Sequence, residues 1–176
     1  VTGRTLALLF ALFALGTGGA MYYLQVYAYY RELTPEEAGP VLLVPQGGGG
    51  GEPIPVADLR AIDSDSSPIR FRSCFATSAP LDDLARRFQP YDDPTPLTAP
   101  GWFGCFDARA IGTALESGEA RAFLSVRDLR YGIDRVVAVL PDGRGFAWNQ
   151  INACGAVVFD GEPAPEGCPP PPEAAR

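Results

Sequence analysis

The chain has 176 residues, with 14 basic and 21 acidic side chains and a net charge of −7. Every basic residue is arginine and histidine is absent, which excludes Ser-His-Asp and Cys-His nucleophilic sites and any His-ligated zinc or haem. The acidic balance also excludes a nucleic acid partner held through its phosphates.

The first element predicted is a long apolar helix. Arg4 and Arg31 bracket 26 uncharged residues, mostly Leu, Phe, Ala and Gly. At about 1.5 Å per residue such a helix reaches about 39 Å, against a hydrocarbon core of about 30 Å. Tyr22, Tyr23, Tyr27, Tyr29 and Tyr30 crowd its far end, and tyrosine collects where lipid meets water. Gly18 and Ala20 resemble a signal-peptide exit, but the run is longer than a secretory h-region, so residues 1–31 are expected to be a retained transmembrane anchor. Gly16, Gly19 and Ala20 thin the helix, and with Tyr23 and Tyr27 they form the candidate face for a partner helix.

Residues 32–56 read as a leash. Five prolines and the run Gly47–Gly51 interrupt regular structure there. Within it, Val41, Leu42, Leu43 and Val44 form a short apolar run expected to drape over a hydrophobic surface. That surface belongs either to this chain or to a partner, and these four are the candidate partner contact of the leash.

Residues 57–162 read as a folded α+β domain with a small antiparallel sheet of four or five strands and two short helices. A short strand or turn is expected at 58–63, followed by a polar turn through Asp63 and Asp65. That turn lacks the glycine and distal glutamate of a calcium loop. The alternation of 69–75 predicts a strand, with Arg70 and Arg72 together on its other side, either solvated, which is the expectation, or anchoring an acidic group. Residues 81–88 carry apolar side chains at i, i+3, i+4 and i+7 and predict a helix. Trp102 and Phe103 either pack over the Cys105 disulfide or face a partner, packing being the expectation. Asp107 is placed to cap a helix ending near Gly118. Strands follow at 122–126, 133–140, 145–150 and 156–159, the middle two joined by a Pro-Asp-Gly hairpin. Residues 163–176 form a proline-rich tail.

Cys74, Cys105, Cys154 and Cys168 are even in number and contain no Cys-x-x-Cys, so two structural disulfides in an oxidising compartment are expected. Of three connectivities, Cys74–Cys105 with Cys154–Cys168 is preferred, because the second bridge would pin the tail to the domain.

Several stretches carry a resemblance: residues 131–152 with 166–171, the tyrosine-rich 22–30, Asp65–Arg70 and Ala99–Phe103. They resemble an uncharacterised family of single-pass inner-membrane proteins from alphaproteobacteria related to purple bacteria. The resemblance implies a bacterial inner-membrane address and carries no activity across.

The expected function is therefore non-catalytic. The chain reads as an accessory subunit of an integral inner-membrane electron-transport complex, respiratory or photosynthetic, with a cytoplasmic N-terminus, a periplasmic domain and the lipid bilayer as its second partner. No metal, cofactor or catalytic residue is expected. A freestanding periplasmic binding or assembly factor is the alternative. An enzyme would have to rely on carboxylates such as Asp92, Asp93 and Asp107 near Trp102.

Overall fold

The structure is a computed structural model that describes residues 2–172. Residue 1 of the expected anchor and residues 173–176 of the expected tail lie outside it.

Helix α1 spans Gly3–Tyr23 and begins at Thr2, whose side chain accepts from the Thr5 amide. It passes directly into a π-helical turn at Leu24–Ala28. Together they form one helix long and apolar enough, by length and composition, to be a membrane span or a signal sequence, and none of it is buried within the chain.

Two residues later the chain enters the sheet as β1 (Arg31–Leu33). Thr34, Pro35 and Glu37 then build a capping box for the short helix α2 (Pro35–Ala38). Strands β2 (Leu42–Leu43) and β3 (Glu52–Pro53) pair with each other as a two-stranded ribbon. The larger elements follow: β4 (Ala57–Asp63), β5 (Arg72–Ala76), α3 (Leu81–Arg87), α4 (Ala108–Glu116), β6 (Arg121–Arg130), β7 (Ile133–Val139), β8 (Arg144–Ile151) and α5 (Ala153–Phe159). The main sheet has six antiparallel strands in the order β1-β4-β5-β8-β7-β6.

Both faces of this sheet are covered, which is why β7 reads as the unbroken apolar run Val136–Leu140. On one face Ile62, Cys74, Val136, Ala138, Phe146 and Trp148 pack against Phe103, Phe106, Ile111 and Ala114, from the aromatic loop and α4. On the other, Ala61, Phe71, Phe75, Val137, Val139 and Ala147 pack against Val41, Leu43, Ile54, Leu84 and Phe88.

The second cover corrects the leash reading of residues 32–56. This segment supplies an edge strand, a helix and four buried apolar side chains, Val41, Leu43, Val44 and Ile54, so it belongs to the domain. Its prolines and glycines suit a segment that crosses a sheet face without hydrogen-bonding along it, and its apolar residues do the covering. Together with the loop after α3 it also guards an edge: the Val44 amide donates to the Leu124 carbonyl, and the Leu124 amide to the carbonyl of Gln89 in that loop. The outer side of β6 is thereby partly closed to pairing with another chain.

The strand expected at 156–159 is a helix. Asn152 accepts from the Gly155 amide as the N-cap of α5. The close approach of Gly155 to Gly132 then sets the helix against the β6–β7 turn. Capping and tertiary packing override the strand preference of Val157 and Val158. Elsewhere the caps act as expected, with Asp107 accepting from the amides of Arg109 and Ala110 at the start of α4. The cysteines pair as Cys74–Cys105 and Cys154–Cys168.

Candidate functional site

The distinctive site is the joint between the apolar helix and the domain. A helix leaves its last carbonyls without intrahelical donors, and the π-helical turn ends α1 in this condition. The indole Nε1 of Trp102 donates to the Val26 carbonyl at 2.7 Å. Tyr30 meets the Trp102 ring edge-on, with centroids 6.3 Å apart, and Trp102 in turn meets Phe103 in the same manner. Phe103 is a core side chain, 1% exposed. A continuous aromatic chain therefore links the end of the helix to the interior of the domain.

Arg70 closes the joint from the sheet side. Its guanidinium lies 5.7 Å from the Tyr29 ring centroid and 5.4 Å from that of Tyr30, within cation–π range. Its Nη1 is buried with no hydrogen-bond acceptor among the described residues. The two tyrosine faces are its compensation.

Arg72, two residues on at the start of β5, is 3% exposed. It donates to the carbonyls of Ile69, Phe71, Leu97 and Thr98 and sits over the Phe106 ring. Burial pushes its guanidinium pKa down to about 10, so it remains charged at neutral pH. Both arginines correct the expectation of a solvated pair. Alternation alone could not show that this end of the sheet is roofed by the loop 91–106.

The remaining predicted residues fall as follows. Gly16 and Gly19 have open space where a side chain would stand, and Ala20, Tyr23 and Tyr27 are exposed. The candidate helix face is thus uncovered by this chain. Tyr23 and Tyr27 stack on each other at 6.0 Å, while Tyr30 turns away onto Trp102. Val41, Leu43 and Val44 are buried and Leu42 is half-buried, which withdraws them as a surface for a partner. Of the conceivable catalytic carboxylates, Asp107 is occupied as a cap and borders a cleft with Leu140 and Arg144. Asp92 and Asp93 are exposed, and the Asp93 carbonyl accepts from Gln150 at the opposite end of β8. The fold does not gather these three. Among the described residues no three Cys, Asp or Glu side chains come together as a metal site.

A buried polar node went unread in the sequence. Asp134, 2% exposed, accepts from the Asp128 amide, from Asn152 Nδ2 and from the Tyr91 hydroxyl. Asn152 also donates to Asp128, whose carboxylate accepts from the Gly132 amide. The node ties the β6–β7 turn, the start of α5 and the loop after α3 into one hydrogen-bonded unit. No local pattern announces it, because its members are spread from 91 to 152.

Residues 41–169 match a described family over most of the chain. The chain belongs to DUF6446, a family of unknown function. The DUF6446 match opens at Val41, within the segment that covers the second sheet face, and closes at Pro169, just past Cys168. It therefore takes in the covering segment from Val41 onward and all four cysteines of the two disulfides. No curated protein and no solved structure matches the chain.

Proposed function

We propose that this DUF6446 chain is a non-catalytic accessory subunit of a larger integral inner-membrane complex. In this reading α1 is a retained anchor with its N-terminus in the cytoplasm, and the disulfide-bonded domain stands in the periplasm. The disulfides support the oxidising side of the membrane. The resemblance to alphaproteobacterial proteins related to purple bacteria supports the inner-membrane address alone, and an electron-transport complex, respiratory or photosynthetic, is the first partner to test.

The observation that carries the reading is the clamp of Trp102 and Arg70 on the end of the helix. A domain that only needs to stay near a membrane works on a flexible tether. A domain that braces a neighbour needs its orientation fixed relative to its anchor, which the clamp supplies. The open strip at Gly16, Gly19 and Ala20 then suits close approach of a neighbour's helix.

The test is native purification of the tagged full chain from gently solubilised membranes, with subunit stoichiometry read by mass spectrometry. A fixed ratio to one multi-subunit complex is expected. A chain that elutes alone in several mild detergents, or that accompanies only immature complexes, overturns the reading and points to an assembly factor.

A further inference from the structure

The strand registers place several features at one end of the sheet. Arg31 lies opposite Asp63, Ile62 opposite Arg72, Arg72 opposite Trp148, Ile151 opposite Ile133, and Ile133 opposite Arg130. The beginning of β1, the end of β8 and the β6–β7 turn therefore share that end. It is also the end at which the chain arrives from the apolar helix, since only Tyr29 and Tyr30 separate the π-helical turn from β1.

Beyond Tyr29, the large apolar side chains left exposed among the described residues are Leu129 (41%), Ile151 (42%) and Phe159 (47%). All three lie at this end. Leu129 is the second-last residue of β6, Ile151 ends β8, and the Phe159 ring lies against Gly132 in the β6–β7 turn itself. The opposite end, at the β7–β8 turn, presents Asp142 and Arg144 as an ion pair. Single exposed apolar residues scattered over a surface need no explanation, but confinement to the end that holds the anchor does.

We infer that this end of the domain rests in the lipid headgroup layer, with Leu129, Ile151 and Phe159 as a second, apolar contact beside the helix. Continuity selects the occupant: the same end carries the tyrosine collar Tyr22, Tyr23, Tyr27 and Tyr29, the side-chain type that partitions to a membrane interface. Charge does not supply the attraction. Without Arg4 and Arg31 the chain retains 12 basic and 21 acidic residues, a balance of −9, so the contact must be apolar. Five strand spacings separate β1 from β6, about 24 Å, so the contact lies well to the side of the helix exit. Two such points fix the tilt of the domain over the bilayer, where one leaves it free.

The inference rests on the reading of α1 as a retained anchor. The test uses the full chain in nanodiscs of phosphatidylethanolamine and phosphatidylglycerol, with a photoreactive benzophenone amino acid at position 129, 151 or 159, and at 142 as the control. The intact mass of the purified chain shows first whether α1 is present, which separates failure of the anchor reading from failure of the inference. With α1 present, lipid adducts several-fold more abundant at 129, 151 and 159 than at 142 are expected. Lipid yields at the three positions no higher than at 142, or adducts to protein alone, overturn the inference.

Discussion

Trp102 and Val26 are 76 positions apart in sequence, yet the indole N–H of one donates to the main-chain carbonyl of the other at 2.7 Å. This is the only side-chain hydrogen bond described between the apolar helix and the domain, and it falls on a carbonyl that helix geometry leaves without a donor.

Trp102→Phe tests it. The substitution keeps an aromatic ring against Tyr30 and Phe103 and removes only the donor. A neutral hydrogen bond contributes about 1 kcal/mol, so local opening of the joint is expected to rise about fivefold. Amide hydrogen exchange over 24–30 should accelerate, while exchange in β7 and β8 stays unchanged. Equal exchange in the two proteins would show that the rings alone hold the joint.

Leu43→Ala separates the covering role of residues 32–56 from that of a free leash. Leu43 is fully buried against the second face of the sheet. Removing it should cost about 2–5 kcal/mol, the range for Leu-to-Ala changes in packed cores. Chemical denaturation gives the value. A change within about 0.5 kcal/mol would return the segment to the surface. Shortening Gly47–Gly51 by one or two residues should matter far less, because loop-closure entropy varies slowly with length.

The contrast between these residues shows what the sequence could disclose. The Pro141-Asp142-Gly143 turn located β7 and β8, and Asp107 announced α4, because those signals are local. Only part of the joint is visible: the tyrosine crowding marks the end of the helix, and packing is the expectation for Trp102, but over the Cys105 disulfide and not against the helix end. The role of Val41–Val44 depended on whether one sheet face or two required cover, which is a property of the assembled sheet. Arg72 looked solvated because its carbonyl partners at Leu97 and Thr98 lie in a loop whose path no periodicity encodes. The helix α5 was hidden by its valines, since propensity outweighs a single Asn cap when neighbours are unknown.

Gly155 and Gly161 offer a paired test of that helix. A Cβ on Gly155 would stand 2.3 Å from the Gly132 carbonyl oxygen and 2.8 Å from its Cα, both backbone atoms that cannot turn aside. Gly155→Ala should therefore force α5 off the β6–β7 turn, at a cost of about 1–3 kcal/mol or more. Gly161 has open space around it and a φ of +86°, so Gly161→Ala meets only backbone strain of about 1–2 kcal/mol. Thermal unfolding should rank the two with Gly155→Ala lower. Loss of protection over 128–134 should accompany Gly155→Ala alone. A reversed order would mean that α5 packs loosely.

Tyr91 gives the fold a pH dependence of defined sign. Its hydroxyl donates to Asp134 at 3.2 Å, and burial first, then the Asp134 charge, raise the phenol pKa above its ordinary value. A raised folded pKa means that the neutral phenol's contribution is fully present below the unfolded value of about 10 and is lost as pH rises through the folded value. Arg72, whose pKa is pushed down by burial, acts in the opposite direction at alkaline pH, but equally in wild type and in Tyr91→Phe. The difference between the two proteins therefore isolates the phenol. Below about pH 9, Tyr91→Phe should be less stable by about 1 kcal/mol, the worth of the lost hydrogen bond. Above about pH 10 the wild type should lose stability faster, and the two curves should converge. Urea unfolding from pH 8 to 11 measures this directly, and curves that stay parallel across that range would remove Tyr91 ionisation as the cause.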